Sequence, residues 1–402
     1  MAKAPLTPDK RNTTDRILWL DVLRGLALFG IAQVNFAAFA SGDLPLAVLF
    51  GGTPTHLSAG VYALVEFAVT AKFYPIFAFL FGYGHVLQWQ SLKRLGIVPE
   101  TILYRRYLCL LVIGMLHGTL LFFGDILTIY AICGLVLTFS RKASMSYPRQ
   151  ASLWAVICVM QLTLAYSAGG TAPGLDKSLA LHRLEIQQLG DGQLIAVMMS
   201  RASDFLSSLV PQIGFFMPLL LVLMSLGQWA ADEGVWQRPG QHLRLFKRLL
   251  VAGLALGVPL NGVFVWIALK LLTGEHSSVW WTASDLISDV AFALSFAYLG
   301  GLGLWAAQAR STTPPRIFYL LSCTGRMALT NYLTQSILMG IIWYSSFSWL
   351  SGRDGYARLS LVAFLVCGAQ MAWSWRRVQS GRAGPAETLW RRFTYAPLRH
   401  GR

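Results

Sequence analysis

A histidine and an aspartate flank a chain reversal in the first third of this 402-residue sequence. His117 lies in an apolar run, and Asp125 follows Gly124 at the next tight turn. The turn lets the Asp125 carboxylate fold back toward the imidazole, which orients one ring nitrogen and leaves the other as a base. Gly114 and Gly118 leave room for a neighbouring helix or a ligand. His117 and Asp125 are therefore predicted to be catalytic; the alternative is a neutral histidine that hydrogen-bonds another helix.

Polar side chains also follow one stripe of the first apolar run. At about 100° per residue, Asp21, Arg24 and Asn35 fall on one side of a helix. Arg24 and Asn35 are eleven residues apart, which is about 16 Å along a helix axis. We expect Asp21 and Arg24 to contribute to donor binding and Asn35 to catalysis. The alternative is an Asp–Arg pair that holds neighbouring helices together.

Guanidinium groups collect near one end of the apolar runs. Arg24, Arg106 and Arg326 lie there, and Asn331 follows Arg326 on the same predicted helix. Guanidinium groups bind multiply charged anions through forked hydrogen bonds. These residues are predicted to hold an anionic donor, although an arginine such as Arg106 is also typical of the cytoplasmic end of a membrane helix.

Three further acidic residues are secondary candidates near the opposite end. They are Glu66, Asp285 and Asp289. Asp285 and Asp289 lie one helical turn apart, where two carboxylates disfavour ionisation of both. The alternative is a helix N-terminus, where the helix dipole stabilises negative charge. No metal site or bound cofactor is expected, because the five cysteines are too widely spaced for metal-ligand motifs.

The composition defines the scaffold for these residues. Hydrophobic residues make up 55% of the chain and charged residues only 13%, whereas an ordinary globular protein is roughly 25% charged. This balance excludes a soluble enzyme, and the aromatic content excludes a disordered chain. The sequence predicts an all-α, polytopic membrane protein.

Ten apolar runs are candidate membrane spans. A bilayer core needs about 20 helical residues, with tolerance for tilt. The runs cover residues 17–40, 61–90, 106–123, 125–140, 151–168, 208–229, 249–272, 281–308, 326–350 and 358–376. We therefore predict a helical bundle over residues 1–377, with an outer-side loop and amphipathic segment at 169–207 and a basic cytoplasmic tail at 378–402.

Basic residues are distributed unevenly between the runs. Of the 33 Lys and Arg residues, 24 lie before the first run or after an even-numbered run and before the next, with Arg106 and Arg376 at the ends of their runs included. Such asymmetry places both termini in the cytoplasm. It also assigns the net charge of +15 to membrane topology, so the expected partner is the lipid bilayer and not nucleic acid.

Several motifs resemble the YeiB-like family of bacterial inner-membrane proteins. They are Asp21-x-x-Arg24-Gly25-x-Ala27, Phe73-Tyr74-Pro75, Leu80-Phe81-Gly82, His117 with Gly124-Asp125-Ile126-Leu127, Gly325-Arg326-Met327-Ala328-Leu329-Thr330-Asn331-Tyr332, and Gly384-Pro385-Ala386-Glu387-x-Leu389-Trp390-Arg391. The resemblance extends over residues 16–395 and implies a multi-pass protein of the bacterial inner membrane.

The Asp-x-x-Arg-Gly opening is also distantly similar to that of transmembrane acyltransferases. These include O-acyltransferases of bacterial surface glycans and the lysosomal heparan glucosaminide acetyltransferase. The likeness covers the first two spans, and this chain has Asn35 where some acyltransferases carry a histidine. It implies transfer of an acyl group from cytoplasmic acyl-CoA, a co-substrate, to a glycan, lipid or small-molecule acceptor.

Two other functions are compatible with these residues. A transporter of a small anion or lipid-linked solute also uses intramembrane acid and base groups, although an inverted repeat, typical of many carriers, is not visible in the sequence. A structural or assembly role is the third hypothesis, and the architecture is compatible with a homo-oligomer.

Overall fold

The computed structural model describes residues 17–41, 54–167, 191, 193–272, 291–309, 315–350 and 352–396. Within these ranges the chain is helical and contains no strand. The helices are α1 (Leu18–Ser41), α2 (His56–Ala68), α3 (Phe73–Arg94), α4 (Pro99–Leu120), α5 (Leu127–Lys142), α6 (Tyr147–Ser167), α7 (Leu194–Pro211), α8 (Met217–Asp232), α9 (Leu243–Leu272), α10 (Leu294–Gln308), α11 (Arg316–Gly325), α12 (Ala328–Leu350), α13 (Gly355–Gln379) and α14 (Pro385–Thr394). The prediction of an all-α protein is thus confirmed for the described residues.

Five helical segments of the described chain are long and apolar enough to cross a membrane. They are Leu18–Ala40, His56–Arg94, Ile195–Asp232, Pro239–Leu271 and Gly355–Gln379. One other predicted span contains a short helix, since α5 has 16 residues, fewer than the roughly 20 that cross a bilayer core without distortion; of the predicted span 281–308, only residues 291–308 are described. The helices indicate a membrane protein, and the count of ten spans stays a prediction.

The predicted second span, 61–90, is not one continuous helix. Helix α2 ends at Ala68 and α3 begins at Phe73, with Ala71 at a φ of 65° in the turn between them. The buried Lys72 ammonium donates to the Glu66 carbonyl oxygen at 2.6 Å. Pro75 lies in the first turn of α3, where the missing N–H of proline costs no helical hydrogen bond. The break therefore provides an internal polar connection where the hydropathy pattern indicates an uninterrupted span.

The segment predicted at 169–207 is only partly described. Residues 168–190 lie outside the described residues, and the remainder belongs largely to α7. Helix α7 continues through the π-helical turn Gln212–Phe216 into α8. The described residues 195–207 are thus part of the long apolar segment Ile195–Asp232, and the outer-side position of 169–207 stays a prediction.

Glycines allow the helices near the arginines to cross closely. A Cβ atom on Gly25 would collide with the Leu321 carbonyl oxygen, and one on Gly325 would collide with the Asp21 carbonyl oxygen. Helices α1 and α11 therefore pack backbone against backbone. This contact brings Arg24 of α1 and Arg326, which follows α11, to the same cavity.

The end of the chain returns to the bundle. Residues 378–402 are predicted to form a basic cytoplasmic tail, and α14 within this stretch packs against α4 and α12. The Trp390 indole N–H donates to the Arg106 carbonyl oxygen at 2.9 Å, and Arg105 donates to the Phe393 carbonyl oxygen at 3.0 Å. Helix α14 consequently forms one wall of the candidate site.

Candidate functional site

Cationic side chains from four parts of the chain surround one cavity of about 280 Å³. Its charged and aromatic lining includes Arg24, Arg106, Arg326, Arg391, Glu387 and Trp390. We call it the arginine cavity. Its size is close to the lower end of the roughly 300–1,000 Å³ typical of small-molecule sites. Three arginines that the sequence analysis assigned to the donor lie in its wall.

Neighbouring groups position two of these guanidinium groups. Arg24 donates to the buried Asp21 carboxylate at 2.8 Å and keeps 27% of its side chain exposed. The Arg106 guanidinium lies 3.6 Å from the centre of the Trp390 ring, a cation–π contact. Gly84 has no side chain to occupy the space beside Arg24, since a Cβ there would lie 3.4 Å from the guanidinium. Both arginines are thus oriented while remaining accessible from the cavity.

A histidine lines the same cavity beside the arginines. His85 Nδ1 is 2.8 Å from the Tyr107 hydroxyl, and the two rings stack. His85 is 1% exposed, and its Nε2 atom has no hydrogen-bond partner in the described part of the chain. A buried ring nitrogen without a partner favours a ligand in this cavity, because burial of an unpaired polar atom is costly.

The second part of the site is the histidine cluster, formed by His117, Asp125, Thr128 and Ser336. His117 Nδ1 is 2.7 Å from Asp125 Oδ1, and His117 Nε2 is 2.8 Å from Ser336 Oγ. Asp125 Oδ2 accepts the Thr128 backbone N–H at 2.8 Å and its hydroxyl at 2.7 Å. All four side chains are buried.

The local sequence explains the first contact of this cluster. Helix α4 ends where the N–H groups of Leu121 and Phe122 both donate to the His117 carbonyl oxygen. The chain then reverses at Gly124, and Asp125 caps the first turn of α5 through Thr128. The carboxylate therefore approaches the imidazole as the turn predicts, while its catalytic role remains a prediction.

A second cavity, of about 360 Å³, lies beside Ser336. We call it the serine cavity. Its lining includes Phe39, Gly118, Phe122, Arg201, Ser336, Gly340 and Tyr344. The Arg201 guanidinium lies 3.9 Å from the centre of the Phe39 ring and donates to the Phe39 carbonyl oxygen at 3.2 Å. This cavity is thus mainly apolar, and the polar side chains in its wall are Arg201 and the hydroxyl-bearing Thr119, Ser336 and Tyr344.

The histidine cluster contacts linings of both cavities. The His117 ring centre is 5.0 Å from that of Tyr332, which lines the arginine cavity, and 6.4 Å from that of Phe122, which lines the serine cavity. Tyr332 and Ser336 are one turn apart on α12. Consecutive turns of one helix therefore face the two cavities, with His117 between them.

Other predicted site residues lie elsewhere. Asn35 is half-buried on α1 and lines neither cavity in the described structure. The buried Asn331 amide donates at 3.0 Å to both the Thr324 carbonyl oxygen and Ser374 Oγ, so it joins helices and does not face the donor cavity. Glu66 is buried near the α2–α3 break.

Asp285 and Asp289, the remaining secondary candidates, lie outside the described residues.

Sequence reasoning missed several residues of the site. They are His85, Ser336, Glu387, Trp390 and Arg391. Glu387, Trp390 and Arg391 belong to the motif that begins at Gly384, but the basic character of residues 378–402 predicts a tail and gives no indication of a cavity wall. Ser336 carries no local signal, because a serine in an apolar helix usually bonds its own backbone.

The fold and site define a helical membrane protein with a polar site enclosed by its bundle. Residues 230–397 match a family described as "Protein of unknown function (DUF418)". The chain is 31% identical over 410 residues to "Uncharacterized protein YxaH" of Bacillus subtilis (strain 168), with 95% of each chain covered. It is 26% identical over 396 residues to "Uncharacterized protein YeiB" of Escherichia coli (strain K12), with 94% of this chain and 96% of YeiB covered.

The protein therefore belongs to the YeiB-like family, and this part of the prediction is confirmed. A third relative, "Uncharacterized 39.9 kDa protein in amylase 3'region" of Bacillus acidopullulyticus, is 27% identical over 395 residues, with 95% of this chain and 94% of that protein covered. No solved structure matches the chain.

Proposed function

We propose that this protein is an acyltransferase of the bacterial inner membrane. It would take an acyl group from cytoplasmic acyl-CoA and give it to a glycan, lipid or small-molecule acceptor at or across the membrane. The observation that carries the proposal is the position of His117 between a cationic cavity and a second, mainly apolar cavity. A donor and an acceptor bound in separate cavities require a reacting group in the wall between them.

The arginine cavity suits the phosphates of coenzyme A. Arg24, Arg106 and Arg326 approach it from different helices, and guanidinium forks bind phosphate oxygens through paired hydrogen bonds. His85 Nε2 offers one more polar contact. With ten spans and cytoplasmic termini, as the distribution of basic residues predicts, this cavity faces the cytoplasm, where acyl-CoA is found.

The histidine cluster suits proton transfer during acyl transfer. Asp125 accepts the Nδ1 proton of His117, so the Nε2 lone pair acts as the base. An acceptor hydroxyl or amine attacks the thioester carbonyl carbon, and its proton passes to Nε2. The carbon–sulfur bond breaks, and the coenzyme A thiolate takes up the proton.

Thermal unfolding of the detergent-purified protein tests the donor class. Coenzyme A at 100 times its dissociation constant would stabilise the protein by about 2.7 kcal/mol, whereas pantetheine, which lacks the phosphates, is expected to have little effect. Exposed Arg244 lies outside the cavity lining, so Arg244→Ala should keep the full response. Absence of stabilisation by coenzyme A would contradict the proposal, and stabilisation by an unrelated anion would favour transport.

A further inference from the structure

We infer that Ser336 is a nucleophile that carries the acyl group as a covalent ester between the two cavities. The inference rests on the proposed acyl transfer and adds a two-step route to it. It stands on the hydrogen bond between Ser336 Oγ and His117 Nε2, which are 2.8 Å apart although the residues lie 219 positions apart in the sequence.

The Ser336 hydroxyl contacts an imidazole, whereas the buried Ser295 and Ser374 hydroxyls contact the Lys72 carbonyl oxygen and the Asn331 amide, and two others bond their own helix. Ser225 Oγ donates to the Leu221 carbonyl oxygen, and Ser322 Oγ donates to the Tyr319 carbonyl oxygen. Such bonds satisfy a hydroxyl inside an apolar helix. Ser336 instead contacts an imidazole on another helix, an arrangement that activates a serine nucleophile.

The surrounding hydrogen bonds are compatible with one arrangement of protons, which the proposed route uses. Asp125 Oδ2 accepts two bonds from Thr128, and an ionised carboxylate has only acceptor atoms, so in the proposed triad Oδ1 accepts the Nδ1 proton of His117. His117 Nε2 then has a lone pair and accepts the Ser336 hydroxyl proton. The order Ser336–His117–Asp125 reproduces the roles of a serine, histidine and aspartate triad.

The position of Ser336 explains how an ester intermediate could connect the donor cavity with the acceptor cavity. Ser336 lines the serine cavity, while Tyr332, one turn earlier on α12, lines the arginine cavity. The proposed route requires a thioester in the arginine cavity to extend past Tyr332 to the wall that contains Ser336. The ester then faces the serine cavity, so the donor and acceptor need not occupy the same space.

Both steps balance with the groups named. In the first, Ser336 Oγ attacks the thioester carbonyl carbon, its proton moves to His117 Nε2, the carbon–sulfur bond breaks, and the thiolate leaves with that proton. In the second, an acceptor hydroxyl or amine attacks the ester carbonyl carbon and passes its proton to His117. The ester bond to Ser336 then breaks, and Ser336 Oγ takes the proton back.

A fluorophosphonate probe tests the nucleophile independently of coenzyme A. We expect the purified wild-type protein to be labelled, with the modification mapped to the Ser336 peptide by mass spectrometry. Ser336→Ala and His117→Ala should lose at least nine-tenths of the labelling. Ser225→Ala, which removes another buried serine hydroxyl, should be labelled as the wild type is.

Incubation with radiolabelled acetyl-CoA, followed by denaturation, tests the intermediate. Label retained on wild-type protein and absent from Ser336→Ala would support the ester. If wild-type protein transfers acyl groups but neither the probe nor the acyl label reaches Ser336, the inference is wrong and the proposed function stands. If Ser336 reacts with the probe while coenzyme A neither binds nor donates, the acyl-CoA function fails and Ser336 remains a nucleophile for another ester or amide.

Discussion

The arginine cavity and the histidine cluster differ in how their polar side chains are satisfied. The Arg24 side chain is 27% exposed, and Arg326 is also exposed at the same cavity. In the histidine cluster, both ring nitrogens of His117 and both oxygens of Asp125 have partners within the fold. Accessible guanidinium groups can adapt to an anion that enters and leaves. A fully bonded imidazole is preorganised, because its hydrogen bonds hold its orientation before any ligand binds.

Replacement of His117 is expected to have the largest effect, and it tests the role of the histidine cluster in catalysis. We expect His117→Ala to lower turnover by about 10²–10⁴-fold, since general acid–base catalysis contributes on this scale. Release of free coenzyme A from acyl-CoA by folded, membrane-inserted protein measures the effect. Cys109→Ala, on the same helix, is the matched control, and wild-type turnover by His117→Ala would end the assignment of His117 as the base.

Asp125→Asn keeps the His117 imidazole but removes the carboxylate that orients it, so this variant tests the importance of ring orientation. An amide side chain can donate to Nδ1, which favours the wrong tautomer, so we expect turnover to fall by about 10²-fold or more. Thr128→Val removes one hydroxyl bond to Asp125 but keeps the carboxylate, and its effect should be much smaller. Equal activity of Asp125→Asn and wild-type protein would show that the carboxylate only caps α5.

Arg24 and Arg326 test the binding side. Replacing either with Ala should weaken coenzyme A binding by about 1.5–3 kcal/mol, the scale of a hydrogen bond to a charged group, which is roughly 10–150-fold in Kd. Arg24→Lys should be nearly as harmful, because an ammonium cannot form the forked contact. Isothermal titration measures both effects. Full affinity in Arg24→Lys would mean that the cavity recognises charge alone.

Trp390 tests whether α14 belongs to the binding site. Its ring supports the Arg106 guanidinium, and loss of such a cation–π contact costs about 0.5–2 kcal/mol. We expect Trp390→Ala to weaken coenzyme A binding by that amount and leave the turnover of bound donor nearly unchanged. The adjacent exposed Leu389 provides the control Leu389→Ala. An equal loss in both variants would indicate that α14 is only structural.

Asn35 should give the smallest effect. It belongs to neither region as the structure describes them, so Asn35→Ala is expected to change turnover by less than about tenfold. The coenzyme A release assay used for His117→Ala measures it. A loss as large as that of His117→Ala would extend the reacting region along α1 and restore Asn35 as a catalytic residue.

The sequence by itself determined the helical class, the membrane character and the chemistry of the two candidate regions. Few charges in an apolar chain leave only a bilayer as solvent, and the short turn at Gly124 made the contact between His117 and Asp125 predictable. These conclusions depend on composition or on residues close in the chain.

Only the tertiary structure placed Ser336 against His117 and brought α14 to the arginine cavity. Both contacts join residues more than two hundred positions apart, so they depend on helix packing, which periodicity does not specify. The close crossing of Gly25 and Gly325 likewise requires knowledge of which helices meet. Local patterns identified the candidate side chains, and long-range packing decided which of them share a cavity.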